Sequence, residues 1–310
     1  MKNWVTIIGG GSIGDRHAAS IQSVDPQARI DRLSYRAFRQ GDEIASSSTA
    51  VVYCGPATGR VEIADRLLRP ERPVLFEKPL AASVDDGEQL AAMTLDRGVA
   101  HMVGYCLRYD ARLVQVRRQV LSGAIGKVHH VSLSVGQLLS TWRPGTDVQS
   151  SVSAQKSLGG GALLELSHEL DYLLWFFGSP KSLSVRSSTL GNEVLDVEDS
   201  VDLICSFDDN LHALVHLDML DRSTHRQCRI VGSKATCLWD SRAESAVVDT
   251  GVEKTLLGHS SESMYDQQMA AFLGGANDPE RATVTTSLEV LRLIDRCRML
   301  NSTDETDRAL

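Results

Sequence analysis

Short apolar runs alternate with amphipathic stretches over the first hundred residues. Residues 5–8, 30–35, 50–53, 74–77 and 101–105 read as strands, and residues 14–23, 61–69 and 84–97 as the helices between them. In the last of these, Val84, Leu90 and Met93 fall roughly on one face. Strands separated by helices feed a parallel sheet with helices packed on it. From Gly126 the texture changes. Alternating β-rich stretches at 127–137, 181–189, 200–207, 211–220, 227–231 and 236–240 predict a largely antiparallel sheet with one face covered. Helices are predicted over 161–177 and 285–300, and residues 301–310 are polar and read as frayed. The pattern therefore predicts two domains, 1–120 and 121–310, the second an α+β domain built on a large, mostly antiparallel open sheet.

Composition narrows this picture in a few places. A chain of 310 residues is long enough for two cores, and 42% hydrophobic with 23% charged residues is a globular balance. Forty acidic against 32 basic residues leave a formal charge of −8, which offers no general attraction to nucleic acid or anionic membranes. No apolar run approaches the ~20 residues of a membrane span. The six cysteines are scattered without a CxxC pair or zinc-type spacing and read as buried thiols, so a reducing cytoplasm is expected.

The first strand runs directly into Gly9-x-Gly11-x-x-Gly14, which opens the first helix. In that context Gly9 permits a tight turn, Gly11 lets a pyrophosphate approach the backbone, and Gly14 lets helix and strand pack closely. The anion then rests on the helix N-terminus. The first domain thus reads as a Rossmann doubly wound sheet that binds NAD or NADP, and the fold class as α/β. A domain that selects NAD usually ends its second strand on a carboxylate that holds the ribose hydroxyls. Here that end reads Leu33-Ser34-Tyr35-Arg36, and Asp31 falls within the strand. Ser34 and Arg36 suit a 2′-phosphate, which tilts the reading toward NADP, although Arg36 also reads as a solvated surface charge.

Glu77-Lys78-Pro79 follows the apolar run Val74-Leu75-Phe76, so a lysine is delivered to the carboxyl edge of the parallel sheet, where such folds bind ligands. With GGGSIGDRHA at 9–18, VVYCGPATGR at 51–60, FEKPLA at 76–81, VGYCLRY at 103–109, SGAIGKV at 122–128 and GGGALLELSHELDYLLWFFG at 159–178, the chain resembles the glucose–fructose oxidoreductase and inositol 2-dehydrogenase family, Gfo/Idh/MocA. The resemblance covers some two-thirds of the chain. It implies a Rossmann domain followed by an open-sheet α/β domain that often forms dimers or tetramers, with Lys78 touching both nicotinamide ribose and substrate. Cofactor contacts are expected at Gly9, Gly11, Ser12, Ile13, Gly14, Ser34, Arg36, Pro56, Glu77 and Lys78. Arg60 stands where the family commonly has His, Cys106 where it often has Asn, and Tyr35 where an acidic residue is frequent.

In Glu165-Leu166-Ser167-His168-Glu169-Leu170-Asp171, helical spacing puts Glu165, His168 and Asp171 on one face. Oxidising a secondary alcohol needs a base for the hydroxyl proton while hydride leaves carbon, and an imidazole titrating near neutrality suits that task. His168 is the expected general acid/base, Lys78 the group that polarises the reacting oxygen, and Glu165 or Asp171 the group that orients the histidine. Relatives commonly carry Asp-x-x-x-His here, and this chain has Glu165 with one residue fewer. No metal is expected, since no second His or Cys cluster has ligand spacing.

Tyr105, Arg108, Trp142, Arg143 and Asp147 are the candidates for binding substrate, because aromatic faces and forked donors suit a polyol or an anionic sugar. Trp142 reads equally well as packing within its own domain. The stretch from Trp142 onward resembles that of members associated with bacterial surface-sugar pathways. The expected partner is a small carbohydrate (a sugar, sugar acid or nucleotide-linked sugar) together with further copies of the chain in a homodimer or homotetramer. Two other readings remain: a glycosidase that uses NAD transiently, and a cofactor-binding regulator without catalysis.

Overall fold

In the computed structural model of the chain, residues 3–142, 147–149, 151–191, 195–260 and 263–307 are described, with the backbone alone for 302–307. The first nine elements alternate strictly: β1 (Trp4–Ile8), α1 (Ser12–Val24), β2 (Arg29–Leu33), α2 (Tyr35–Gln40), β3 (Ala50–Tyr53), α3 (Arg60–Leu67), β4 (Val74–Phe76), α4 (Val84–Asp96) and β5 (His101–Val103). The five strands form one parallel sheet in the order β2-β1-β3-β4-β5. Strand order reverses beside β1, so the residues just past β1, β3 and β4 gather at one carboxyl edge, the ligand-binding edge of such sheets. β3, β4 and β5 are buried at every position, as expected for strands covered on both faces.

Next come α5 (Ala111–Leu121), β6 (Val128–Gly136), α6 (Ala162–Glu165), α7 (His168–Phe177), and then β7 (Ser182–Ser188), β8 (Ser200–Ser206), β9 (His212–Asp218), β10 (His225–Gly232), β11 (Thr236–Asp240), β12 (Ala246–Asp249) and β13 (Lys254–Leu257). The eight strands form a second sheet, β13-β12-β11-β10-β6-β9-β8-β7, antiparallel throughout except where β6 runs parallel to β9. Val131, Leu133 and Val135 of β6, Leu203 and Cys205 of β8, and Val215 and Leu217 of β9 are buried, while the alternate positions are polar or exposed. That is the period-2 signature of a sheet packed on one face.

Two helices close the chain, α8 (Met264–Leu273) and α9 (Val284–Asp307). The chain divides into Met1–Tyr109 with Glu262–Leu291, and Asp110–Ser261 with Arg292–Leu310, which differs from a single break at residue 120. The reason is α8: Met269, Phe272 and Ala276 join Val5, Ile7, Ile21, Val52 and Leu75 in the core of the first unit. Another difference concerns 161–177, expected as one helix, which is interrupted between Glu165 and His168 by a turn at Leu166 and Ser167. All six cysteines are free thiols, five of them buried. Among the described residues no helix is long and apolar enough to cross a membrane.

Candidate active site

Gly9 leaves β1 with φ +114°, and a Cβ there would lie 2.7 Å from the Cys54 carbonyl carbon, so only glycine fits. Gly11, also at φ +114°, is the N-cap of α1, and a Cβ on it would meet nothing within 4 Å. No side chain caps α1. Its first amides, at Ser12, Ile13 and Gly14, point out of a 13-residue helix, the arrangement that receives a phosphate. A Cβ on Gly14 would sit 3.1 Å from the Gly9 carbonyl, which accounts for the third glycine of the motif.

At the end of β2, the Ser34 hydroxyl accepts a hydrogen bond from Ala37 N at 3.0 Å and so caps α2. Asp31 is committed elsewhere, accepting from the Trp4 indole at 2.6 Å and from Arg29. Tyr35, Arg36, Arg39 and Gln40 line a recess of about 570 Å³. Arg39 escaped the sequence reading. Its signal was its position three residues after Arg36, which brings the two guanidinium groups onto neighbouring turns.

Beyond β4 the Glu77 side chain turns inward. Its Oε1 accepts from Nε2 of His17 at 2.6 Å, and its Oε2 accepts from the backbone N–H of Lys78 at 3.0 Å. His17, on α1, is fully buried, and the ring of Tyr265 on α8 meets it edge-on at 6.1 Å. An acceptor-only carboxylate requires the proton to sit on Nε2. Lys78 itself is half-buried. Pro56, on the loop after β3, is half-buried at the same carboxyl edge. Tyr105 and Arg108 lie inside this unit: Tyr105 is fully buried, and the Arg108 guanidinium donates to the carbonyls of Glu280 and Arg281.

In the second unit two glycines set the start of α6. A Cβ on Gly160 would lie 2.5 Å from the Val152 carbonyl oxygen, and one on Gly161, at φ +104°, 2.5 Å from Glu198 Oε1. Glu198 in turn accepts from Leu163 N, fixing the turn that precedes α7. His168 opens α7 and is buried, with Asp171 one turn on and also buried. Glu165 is half-buried on the separate helix α6, so the regular spacing that joined it to His168 is broken. Glu169 points the other way, wholly buried and paired with Arg226 of β10 at 2.9 Å. Trp142 donates its indole N–H to the carbonyl of Gln137 in its own turn, and Asp147 is exposed. Arg143 lies outside the described residues.

The uncovered face of the second sheet carries another constellation. Ser134 Oγ lies 2.6 Å from His225 Nε2, whose Nδ1 lies 2.8 Å from Asp221 Oδ2. These are the distances of a nucleophile, its base and an orienting acid. Ser134, however, lies within β6 with β10 on one side and β9 on the other, so the amides around it are spent in the ladders rather than aimed at a developing oxyanion. Gly136 leaves the room: a Cβ there would be 2.7 Å from the His225 ring. Among the described residues no group of three or more His, Cys, Asp or Glu is placed to hold a metal ion.

The profile of the family described as "GFO/IDH/MocA C-terminal domain" matches residues 113–238. The inositol 2-dehydrogenase of Rubrobacter xylanophilus is 26% identical over 190 residues, 56% of this chain and 51% of that protein, so the match spans about half the relative's length. The rhizopine catabolism protein MocA of Rhizobium meliloti is 26% identical over 231 residues, 68% of this chain and 69% of that protein. Among solved structures, an inositol dehydrogenase homolog from Azotobacter vinelandii complexed with NAD+ superposes with a TM-score of 0.82 at 16% identity, over 98% of this chain and 96% of the other.

Proposed function

The chain belongs to the Gfo/Idh/MocA oxidoreductases, and from that premise we propose that it transfers hydride between a nicotinamide nucleotide and a CH–OH carbon of a sugar or polyol. The observation that carries this reading is the uncapped amino end of α1 beneath the Gly9–Gly11 turn, a built receptor for a pyrophosphate. The bound nucleotide supplies the hydride chemistry. Arg36 and Arg39, flanking a recess at the end of a strand without a free carboxylate, favour NADP over NAD.

In this reading the Lys78 ammonium donates to the reacting oxygen and steadies the negative charge that grows there as the proton departs. His168 takes that proton in oxidation and returns it in reduction. It stands at the start of α7. Asp171, one turn along the same helix, is proposed as the orienting carboxylate in preference to Glu165, which ends the separate helix α6. Trp142, Arg143 and Asp147 are proposed to meet the carbohydrate. Ile204 and Leu214, opposed in register on β8 and β9 and 48% and 43% exposed, favour self-association through the uncovered sheet face.

The test is reduction of NADP+ or NAD+ by cyclic polyols, beginning with myo-inositol, in wild type, Lys78→Ala and His168→Asn. Each variant is expected to lose roughly 10²–10⁴-fold in kcat while still binding nucleotide. Near-normal turnover by His168→Asn contradicts its role as base.

A further inference from the structure

Arg60 is the first residue of α3, and its guanidinium is buried, with a relative exposure of 2%. That is a costly place for a cation, since a helix amino end is electropositive and burial strips water from the charge. Backbone carbonyls from two loops receive it. Nε donates to Pro56 O at 3.0 Å and Nη2 to Gly55 O, both just after β3. Nη1 donates to Pro79 O at 2.7 Å and Leu80 O at 2.9 Å, both just after Lys78. The face of Tyr53 lies 5.0 Å from the guanidinium carbon. Burial acts to lower the Arg60 pKa, and Tyr53 and Glu77 oppose that by favouring the charged form.

The run 77–80 is therefore held from both ends. His17 fixes the Glu77 carboxylate, which binds the Lys78 amide, and Arg60 fixes the carbonyls of the two residues that follow. We propose that Arg60, acting with His17, is a positioning residue that locks the backbone of Lys78 and ties it to the Gly55–Pro56 loop. A neutral imidazole has one donor and could not hold four carbonyls, whereas a planar guanidinium with five donors can. Tying the lysine loop to the Gly55–Pro56 loop fixes the place of the Lys78 ammonium relative to whatever Pro56 contacts. The inference rests on Lys78 acting at the reacting oxygen, and its structural half is measurable without any activity.

The experiment follows the Lys78 backbone amide by hydrogen exchange, and its side chain by carbon NMR, in wild type, Arg60→Met, Arg60→Lys and His17→Gln. Urea unfolding gives the stability of each. In folded Arg60→Met, exchange at Lys78 is expected to quicken about tenfold or more while Val74 and Leu75 of β4 stay protected. With NADP+ and myo-inositol, kcat should fall about 10²-fold, beyond any loss of folded protein, because a displacement of about 1 Å has that effect. In a further variant, Arg60→Ala, which should lose a similar factor in kcat, sub-denaturing guanidinium ion should restore part of the activity, and it should restore none in Arg60→Lys. Unchanged Lys78 signals in Arg60→Met overturn the lock and leave the oxidoreductase reading standing. A loosened Lys78 with unchanged kcat overturns the positioning role. Absence of wild-type turnover with either nucleotide counts against the functional reading, while the exchange data still decide the lock.

Discussion

Two histidine–carboxylate pairs of nearly equal length sit in different halves of the molecule. His17–Glu77, at 2.6 Å, is buried and holds the backbone of Lys78; His225–Asp221, at 2.8 Å, is partly open to solvent and ends on a strand serine. Judged by distance alone, His225–Asp221 has the more catalytic arrangement, since it completes a Ser–His–Asp row. The difference lies in what surrounds each pair. Glu77 lies at the carboxyl edge of a parallel sheet beside a glycine turn whose amides have no side-chain cap. Ser134 lies within a ladder, where neighbouring N–H groups already have partners. A row of chemically suitable residues becomes a site only where backbone donors and space remain for a reactant.

If burial separates the two settings, the largest stability loss should follow from removing the wholly buried carboxylate of an ion pair. Glu169→Ala takes the buried partner from Arg226, whose side chain keeps 23% exposure, and is expected to destabilise by about 3 kcal/mol in urea unfolding, the low end for a buried pair. His17→Ala removes a buried donor from Glu77 and should lower stability by about 1–3 kcal/mol, with a larger fractional loss of turnover than of folded protein. A stability loss there with full turnover would separate His17 from the function of Lys78.

Smaller effects should appear in the pH dependence of stability. At His216, burial works against the charge, but Asp202 and then Asp218 outweigh it and raise its pKa above the ordinary 6.5. Its contribution is therefore complete below that value and is lost as pH rises through the raised one, so His216→Asn should flatten that part of the profile. Buried His101 runs the opposite way: burial lowers its pKa, so its contribution is present above 6.5 and is lost as pH falls through the lowered value. The smallest effect is expected at Ser134→Ala, within about 0.5 kcal/mol and without change in turnover. A fluorophosphonate should leave Ser134 unlabelled, and stoichiometric labelling would show that the sheet face is a site after all.

Legibility in the sequence followed the range of the interaction. The strands β1 to β11 showed in local apolar patterns, and the glycine turn, Lys78 and His168 showed in short motifs. β12 and β13 did not, being four-residue strands with a single buried position each, Ala246 and Leu257, that leave little alternation to read. α8 was not predicted as a helix at all, and only folding brings its Phe272 into one core with Val5, far away in sequence. The break before His168 was hidden because Leu166 and Ser167 are compatible with a continuing helix. His17–Glu77 and Arg60–Pro79 join residues 60 and 19 positions apart, and nothing in either local stretch announces the partner.

Nucleotide binding tests the central claim most directly. Protein freed of retained nucleotide and shown to be folded would be titrated with NADPH and NADH, following energy transfer from its tryptophans. Saturable binding is expected, tighter for NADPH, with Arg36→Ala and Arg39→Ala each narrowing the preference by about tenfold. Failure to bind either nucleotide would contradict the account.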